Sequence, residues 1–314
     1  MKFSHGEELR GDRVLDVLTD EESGLRLTVS RLGAELISLA RRNKAGEWIG
    51  FLYRDNDISP PAKGWANHAT VMGYYLHRLK DGHSFYRGHE ITGGTHSFLR
   101  SKTWHAIESN SGKGTSLAYR ITSQDFSATD YPLKVNVDLS YEIDGDRVIV
   151  TFRFKNDEPE LTAHVEFGLH PGFAATSIES FRFRMPPGKY RRHFSPGNYL
   201  SGETEEINFP GGEMPFPREQ LPGSYILEFV DVPNREFVYT DPPSRRELIL
   251  DLADVPYLTL WSDGGPFLCI EPCWGLTDHD KQRAFENKEG IQEIPPRGEL
   301  TAQFSLQPRC AISN

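Results

Sequence analysis

The sequence predicts an all-β chain, an antiparallel sandwich or barrel, and three observations carry that prediction. Apolar residues recur at every second position over long runs, an Asp-Gly pair separates two of those runs at hairpin distance, and helical periodicity is scarce. A chain of 314 residues can bury a large core, and single β-sandwiches reach this size, so one domain over residues 1–314 is expected. The 28 glycines and 21 prolines are spread along the chain, as many tight turns require.

Taken in order, Leu25, Leu27, Val29 and Leu32 begin the first alternating run, and residues 115–121 form another strand-like stretch. Leu133, Val135, Val137, Leu139 and Tyr141 alternate next. Asp144-Gly145-Asp146 follows, and then Val148, Val150, Phe152 and Phe154, the pattern of a hairpin turning on Asp-Gly. Each run reads as a strand with one wet face. Further strands are expected at 225–229, 236–239, 247–252, 257–261, 267–270 and 300–306. The best helical candidate, 280–289, has few apolar positions and reads as a short surface turn. Two irregular stretches, 56–67 with Pro60 and Pro61, and 198–223 with Pro210, Pro215, Pro217 and Pro222, read as long surface loops. Loops of that length are often functional rims, so both are candidate walls of a binding cleft. No internal repeat or low-complexity tract stands out.

A formal charge of -10 works against partners that are nucleic acids or anionic membranes, and favours a neutral small substrate. The three cysteines form no even framework, which excludes a disulfide-stapled mini-domain. Cys269 and Cys273 are close enough to suggest a metal site, yet Cys269 lies within the apolar run Phe267-Leu268-Cys269-Ile270 and reads as a buried, reduced thiol. The N-terminus has no apolar core of a signal peptide and no stretch approaches a membrane span, so a reducing cytoplasm is the expected compartment.

The feature with most chemical content occurs twice, at Val165-Glu166-Phe167-Gly168-Leu169-His170-Pro171 and at Phe267-Leu268-Cys269-Ile270-Glu271-Pro272. Each is an apolar strand expected to end in an ionisable residue before a proline, which holds the preceding residue extended. The apolar surroundings should disfavour both charged forms and move the two pKa values toward each other, as an acid-base pair requires. The alternative is a surface histidine and a solvated or salt-bridged glutamate. A third segment, Gly93-Gly94-Thr95-His96-Ser97-Phe98-Leu99-Arg100 running on to Trp104, mixes the aromatic faces and hydrogen-bonding groups that sugar sites use. A fourth, Gly73-Tyr74-Tyr75-Leu76-His77-Arg78-Leu79, offers Arg78 either as a donor to hydroxyls or as a snorkelling surface side chain.

In this order the four segments resemble the aldose 1-epimerase (galactose mutarotase) family. Leu76-His77-Arg78-Leu79 is similar to its Asn-Arg-Ile-like string, with Arg78 in place of the sugar-binding arginine and His77 beside it. His96-Ser97-Phe98-Leu99-Arg100 resembles its His-Gly-Phe-x-Arg motif, and His96 takes the sugar-binding role. Gly168-Leu169-His170-Pro171-Gly172-Phe173 resembles Gly-x-His-Pro-x-Phe, whose histidine is the family's general acid. Ile270-Glu271-Pro272-Cys273-Trp274-Gly275 resembles its Glu-Pro-x-x-Gly string, whose glutamate is the general base.

The resemblance implies a large antiparallel supersandwich with the site in a cleft on one sheet. It implies catalytic His170 and Glu271 with His96, Arg78 and His77 on the sugar, and it needs no metal or other cofactor. A monomer or homodimer acting on a small sugar is the expected form. His77, Ser97 and Gly172 depart from the family's usual Asn, Gly and aromatic residues. The loss of an aromatic side chain at 172 predicts a wider cleft and a larger substrate. Two competitors are a hexose-phosphate 1-epimerase, with Lys189, Arg191 and Arg192 holding phosphate, and a non-catalytic carbohydrate-binding protein.

Overall fold

A computed structural model describes residues 3–108, 114–215, 218–221, 223–281 and 283–310. Its outer sheet has nine strands among the described residues and is built around the predicted hairpin. Val135–Asp144 pairs antiparallel with Arg147–Asn156, and Gly145 takes the positive φ of 64° that the turn requires. Along both strands buried and part-exposed residues alternate, so one face packs inward and the other meets solvent. Glu299–Cys310 pairs with the second hairpin strand and ties the C-terminal end of the chain into this sheet.

The second sheet carries Gly188–His193, Tyr225–Asp231, Tyr257–Trp261, Phe267–Trp274 and Ala163–Ala174 in spatial order, with Ala69–Tyr74 paired to the last. An N-terminal five-stranded sheet, from Phe3–Arg10 to Trp48–Gly50, completes the antiparallel sandwich. One apolar core joins these three sheets and takes in Tyr86 and Ile91 of a small two-stranded sheet, His83–Tyr86 with His89–Thr92. Leu27 and Leu36 of the N-terminal sheet, Phe152 and Phe154 of the outer sheet, and Phe167 and Leu169 of the second sheet belong to it. Each large side chain buried there contributes roughly 1.5–3 kcal/mol.

Several expectations change. Leu25–Ser30 has no wet face, because Thr28 and Ser30 are buried as well as its leucines. The strand begun at Phe267 does not stop at Ile270 but continues through Glu271 and Pro272 to Trp274. Ala163–Ala174 likewise runs straight through His170 and Pro171. Both strands are buried on both faces, with cleft walls covering the side turned away from the core. The 198–223 segment contains the strands Thr204–Phe209 and Gly212–Glu213, which pair with Gly188–His193 and Arg182–Met185, so it is not one long loop. Pro217 and Pro222 lie outside the described residues. The 280–289 segment does form a short turn, but Phe285 and Lys288 are buried in it.

Candidate active site

Two prolines in a shared gap of the ladder explain how the site's central pair meets. Ala163–Ala174 and Phe267–Trp274 are paired at Gly168↔Cys273 and again at Gly172↔Cys269. Between these pairs Pro171 and Pro272 each lack an N–H, and the ladder is interrupted while its register is kept. The register carries His170 opposite Glu271. Their side chains meet with Nε2 3.2 Å from Oε1, and both are buried.

His77 and His96 arrive from loops that are hydrogen-bonded to each other. The His96 N–H donates to the His77 carbonyl at 2.8 Å, and the Tyr74 N–H donates to Ser97 Oγ at 3.0 Å. The chain turns sharply there, with His77, His96 and Ser97 all at positive φ. The rings of His77 and His96 lie 5.4 Å apart, and those of His96 and His170 5.0 Å apart. The three histidines therefore cluster around Glu271, with His170 in contact with it and a His77 ring nitrogen within 4.8 Å of it.

Behind this cluster sits a buried charge network that sequence reasoning missed. Glu166 is fully buried and accepts from the Leu76 N–H at 3.1 Å and the Leu276 N–H at 3.2 Å. Lys288 bridges it at 3.3 Å to Asp278 at 2.6 Å, and Asp278 accepts from the Lys80 N–H. The network pins the His77-Arg78 segment against the chain that follows Glu271. An ionisable residue in the apolar Val165-Glu166-Phe167 string was the available signal for Glu166; Lys288 had none.

These elements enclose a cavity of about 340 Å³, lined by all five predicted residues, His77, Arg78, His96, His170 and Glu271, and also by Trp65, Arg100 and Trp261. The aromatic platforms come from unexpected places. Trp65, on the 56–67 loop, stacks on His170 at 5.1 Å, and Trp261 meets the same ring edge-on at 5.7 Å. Phe98 and Trp104 are core residues instead, the latter donating from Nε1 to the Leu99 carbonyl. Trp65 also reverses the reading of Gly172. A Cβ at 172 would lie 2.3 Å from the Trp65 indole, so the missing aromatic side chain is replaced by a neighbouring one and the cleft is not widened.

Burial governs the electrostatics. It pushes His170 down to about 3, with the neighbouring His77 charge adding to the effect, and His77 itself down to about 4. His96 is driven well below its ordinary value for the same reason. Burial raises Glu271 well above the carboxylate range. The directions match the expectation, and the shifts are larger than a simple approach of two values. Several buried polar atoms here have no protein partner: His170 Nδ1, His96 Nδ1, His77 Nε2, Glu271 Oε2 and Ser195 Oγ. Such atoms are costly unless a ligand satisfies them.

His77, Glu271 and Cys273, and likewise His170, Cys269 and Glu271, bring donor atoms within 4.8 Å of one another, close enough to touch one ion. Burial pushes both thiols well above their ordinary range, which opposes the thiolate that a metal needs. The carboxyl is better suited to exchanging a proton with His170. The basic run 189–192 lies elsewhere: Arg191 pairs with Glu206 at 2.6 Å and Glu228 at 3.0 Å, Arg192 packs over Phe194 and Tyr225, and none of Lys189, Arg191 or Arg192 lines the cavity.

Residues 16–266 match the sequence profile of the aldose 1-epimerase family, a span that ends before Glu271. The plasmid-borne protein LacX of Lactococcus lactis is 24% identical over 259 residues, covering 74% of this chain and 82% of its own. Two solved structures share the fold. A galactose mutarotase related enzyme from Lactobacillus acidophilus has a TM-score of 0.81 at 21% identity, over 94% of this chain and 98% of its own. A galactose mutarotase-like protein from Lactobacillus casei has a TM-score of 0.79 at 18% identity, over 93% and 100%.

Proposed function

The chain belongs to the aldose 1-epimerase family, and from that premise we propose that it interconverts the α and β anomers of an aldose by acid-base ring opening and reclosure. The observation that carries this reading is the contact between His170 Nε2 and Glu271 Oε1 at 3.2 Å, on the floor of a cleft with aromatic walls.

Ring opening removes the proton of the C1 hydroxyl and delivers one to the ring oxygen. Glu271 takes the hydroxyl proton, the O–H electrons form the C1 carbonyl, the bond from C1 to the ring oxygen breaks, and His170 protonates that oxygen. Rotation about the C1–C2 bond presents the other carbonyl face, and reclosure runs the same transfers backward. The pair thus holds one proton, which opening leaves on Glu271 and reclosure returns to His170 by way of the substrate. Without substrate, burial places it on the carboxyl. Sugar hydroxyls bonded to Glu271 Oε2 and His170 Nδ1 supply the hydrogen bonds that stabilise the charged arrangement. Each transfer is worth on the order of 10²–10⁴-fold.

Glu271→Gln is nearly isosteric and removes the base. Anomer exchange, followed by polarimetry or exchange NMR over a panel of aldoses, is expected to fall to the uncatalysed rate with an unchanged circular dichroism spectrum. A fully active Gln variant sinks the assignment. Sugar binding by the wild-type protein without accelerated exchange would identify a binding protein instead.

A further inference from the structure

The N-terminal sheet ends on a strand whose outer edge is bare. Phe3–Arg10 pairs with Arg13–Asp20 along its whole length without a shift of register, and among the described residues no strand takes its other edge. Ser4 through Leu9 are exposed. Such an edge offers a row of backbone donors and acceptors to any extended chain, and natural proteins blunt it with prolines, lysines, bulges or very short strands. This strand has no proline, no lysine and no bulge. Near its end Leu9 is 74% exposed, more than any other large apolar side chain among the described residues.

The strand is also complementary to itself. In an antiparallel pair, facing residues turn their N–H and C=O either both toward the partner strand or both away. A strand therefore pairs with its own copy only about an axis through a residue, never between two. An axis through Glu7 sets two carboxylates against each other, and one through His5 leaves the end of the strand from Glu8 onward unpaired. An axis through Gly6 avoids both. Phe3 then faces Leu9 and His5 faces Glu7 on one side of the sheet, while Ser4 faces Glu8 on the other. Gly6 meets Gly6, so no side chain crowds the axis. Contacts within the protomer already hold the charged side chains on that face: Glu7 pairs with Arg31 at 2.5 Å, and the His5 ring meets the Gly114 carbonyl at 2.6 Å.

We propose that Phe3–Arg10 is a dimer interface, at which a second copy of this chain adds its own Phe3–Arg10 antiparallel about a two-fold axis through Gly6. The occupant is a second copy because the edge asks for a leucine opposite Phe3 and an acid opposite His5 in one fixed register, and the strand itself supplies both. Each protomer uses this edge once, so the pairing closes at two copies and does not propagate. The opposite end of the sheet, Trp48–Gly50, is a short strand that offers no comparable edge.

The test combines sedimentation of the intact chain, free of any N-terminal tag, over a range of concentrations with cysteine cross-linking. A reversible monomer–dimer equilibrium is expected. Gly6→Cys is accommodated, because a Cβ at this position meets only Val17 Cβ, at 3.8 Å. Facing Cα atoms of an antiparallel pair lie roughly 4.5–5.5 Å apart, within reach of a disulfide. Copper-phenanthroline, as the oxidant, should therefore link Gly6→Cys protomers into covalent dimers above the wild-type background set by the partly exposed Cys310. Glu7→Cys and Glu8→Cys, whose counterparts are His5 and Ser4, should link about tenfold less. Leu9→Lys removes an apolar pair twice per dimer and should weaken association about tenfold, with an unchanged circular dichroism spectrum. A monomer at every concentration, cross-linking stronger at 7 or 8 than at 6, or a Leu9→Lys variant that dimerises like the wild type overturns the proposal.

Discussion

His170 and Glu271 show how burial sets the chemistry of single residues. Because His170 is pushed down to about 3, the pair gains a second proton only near that pH. The acid limb of the kcat/KM profile is therefore expected well below the ordinary imidazole range, with exchange largely retained at pH 5; a loss of rate centred near pH 6.5 contradicts this. The same shift is a statement about stability. The unfolded chain binds a proton on this histidine below about 6.5, and the folded chain does so only near 3. Its contribution is lost as pH falls through that window, by at most about 1.4 kcal/mol per pH unit. His170→Asn removes that loss, so its melting temperature should gain on the wild type between pH 6.5 and pH 4. A constant difference over that range speaks against a buried neutral imidazole.

Two devices at the level of whole elements hold the pair in place. The 56–67 loop lays Trp65 over Gly172 and His170, so Gly172→Ala forces the indole away from a Cβ that would otherwise approach to 2.3 Å. The expected result is a fall in kcat/KM of about ten- to a hundredfold, with a red shift of tryptophan fluorescence as Trp65 meets water. Unchanged kinetics and emission would show that the loop yields without cost. On the opposite side, Lys288 is almost fully buried between Glu166 and Asp278. Lys288→Met leaves two carboxylates facing each other without their cation. About 3–5 kcal/mol of stability should be lost, read as a lower denaturation midpoint in urea. A loss below 1 kcal/mol is inconsistent with a charged network there.

At the scale of the molecule, one core running through the sheets leads us to expect a single cooperative unfolding transition, with near- and far-ultraviolet dichroism changing together. Two separate transitions would divide the chain into independent units. The strands of the outer sheet were legible in the sequence because one wet face leaves a period of two, as in 135–144 and 147–156. The cleft strands were found but cut short: both of their faces are covered, and a proline inside them mimics an end. Local composition sufficed to nominate His170, Glu271, His96 and Arg78, since an ionisable group in an apolar or glycine-rich string is conspicuous. Trp65, Trp261 and Lys288 were passed over because nothing within a few residues marks them, and Arg100 was read only as part of the His96 motif; the surroundings of all four come from partners far away in the chain. The sequence by itself determined the all-β class and singled out His170 and Glu271 as the candidate proton-transfer pair, because alternation and residue chemistry are local properties and the order of the motifs resembles the family's. Only the tertiary structure decided that a shared gap in the ladder sets His170 against Glu271, that an indole fills the space left by Gly172, and that Trp65, Arg100 and Trp261 join the predicted residues around one cavity, because register and packing are properties of residues brought together from distant positions.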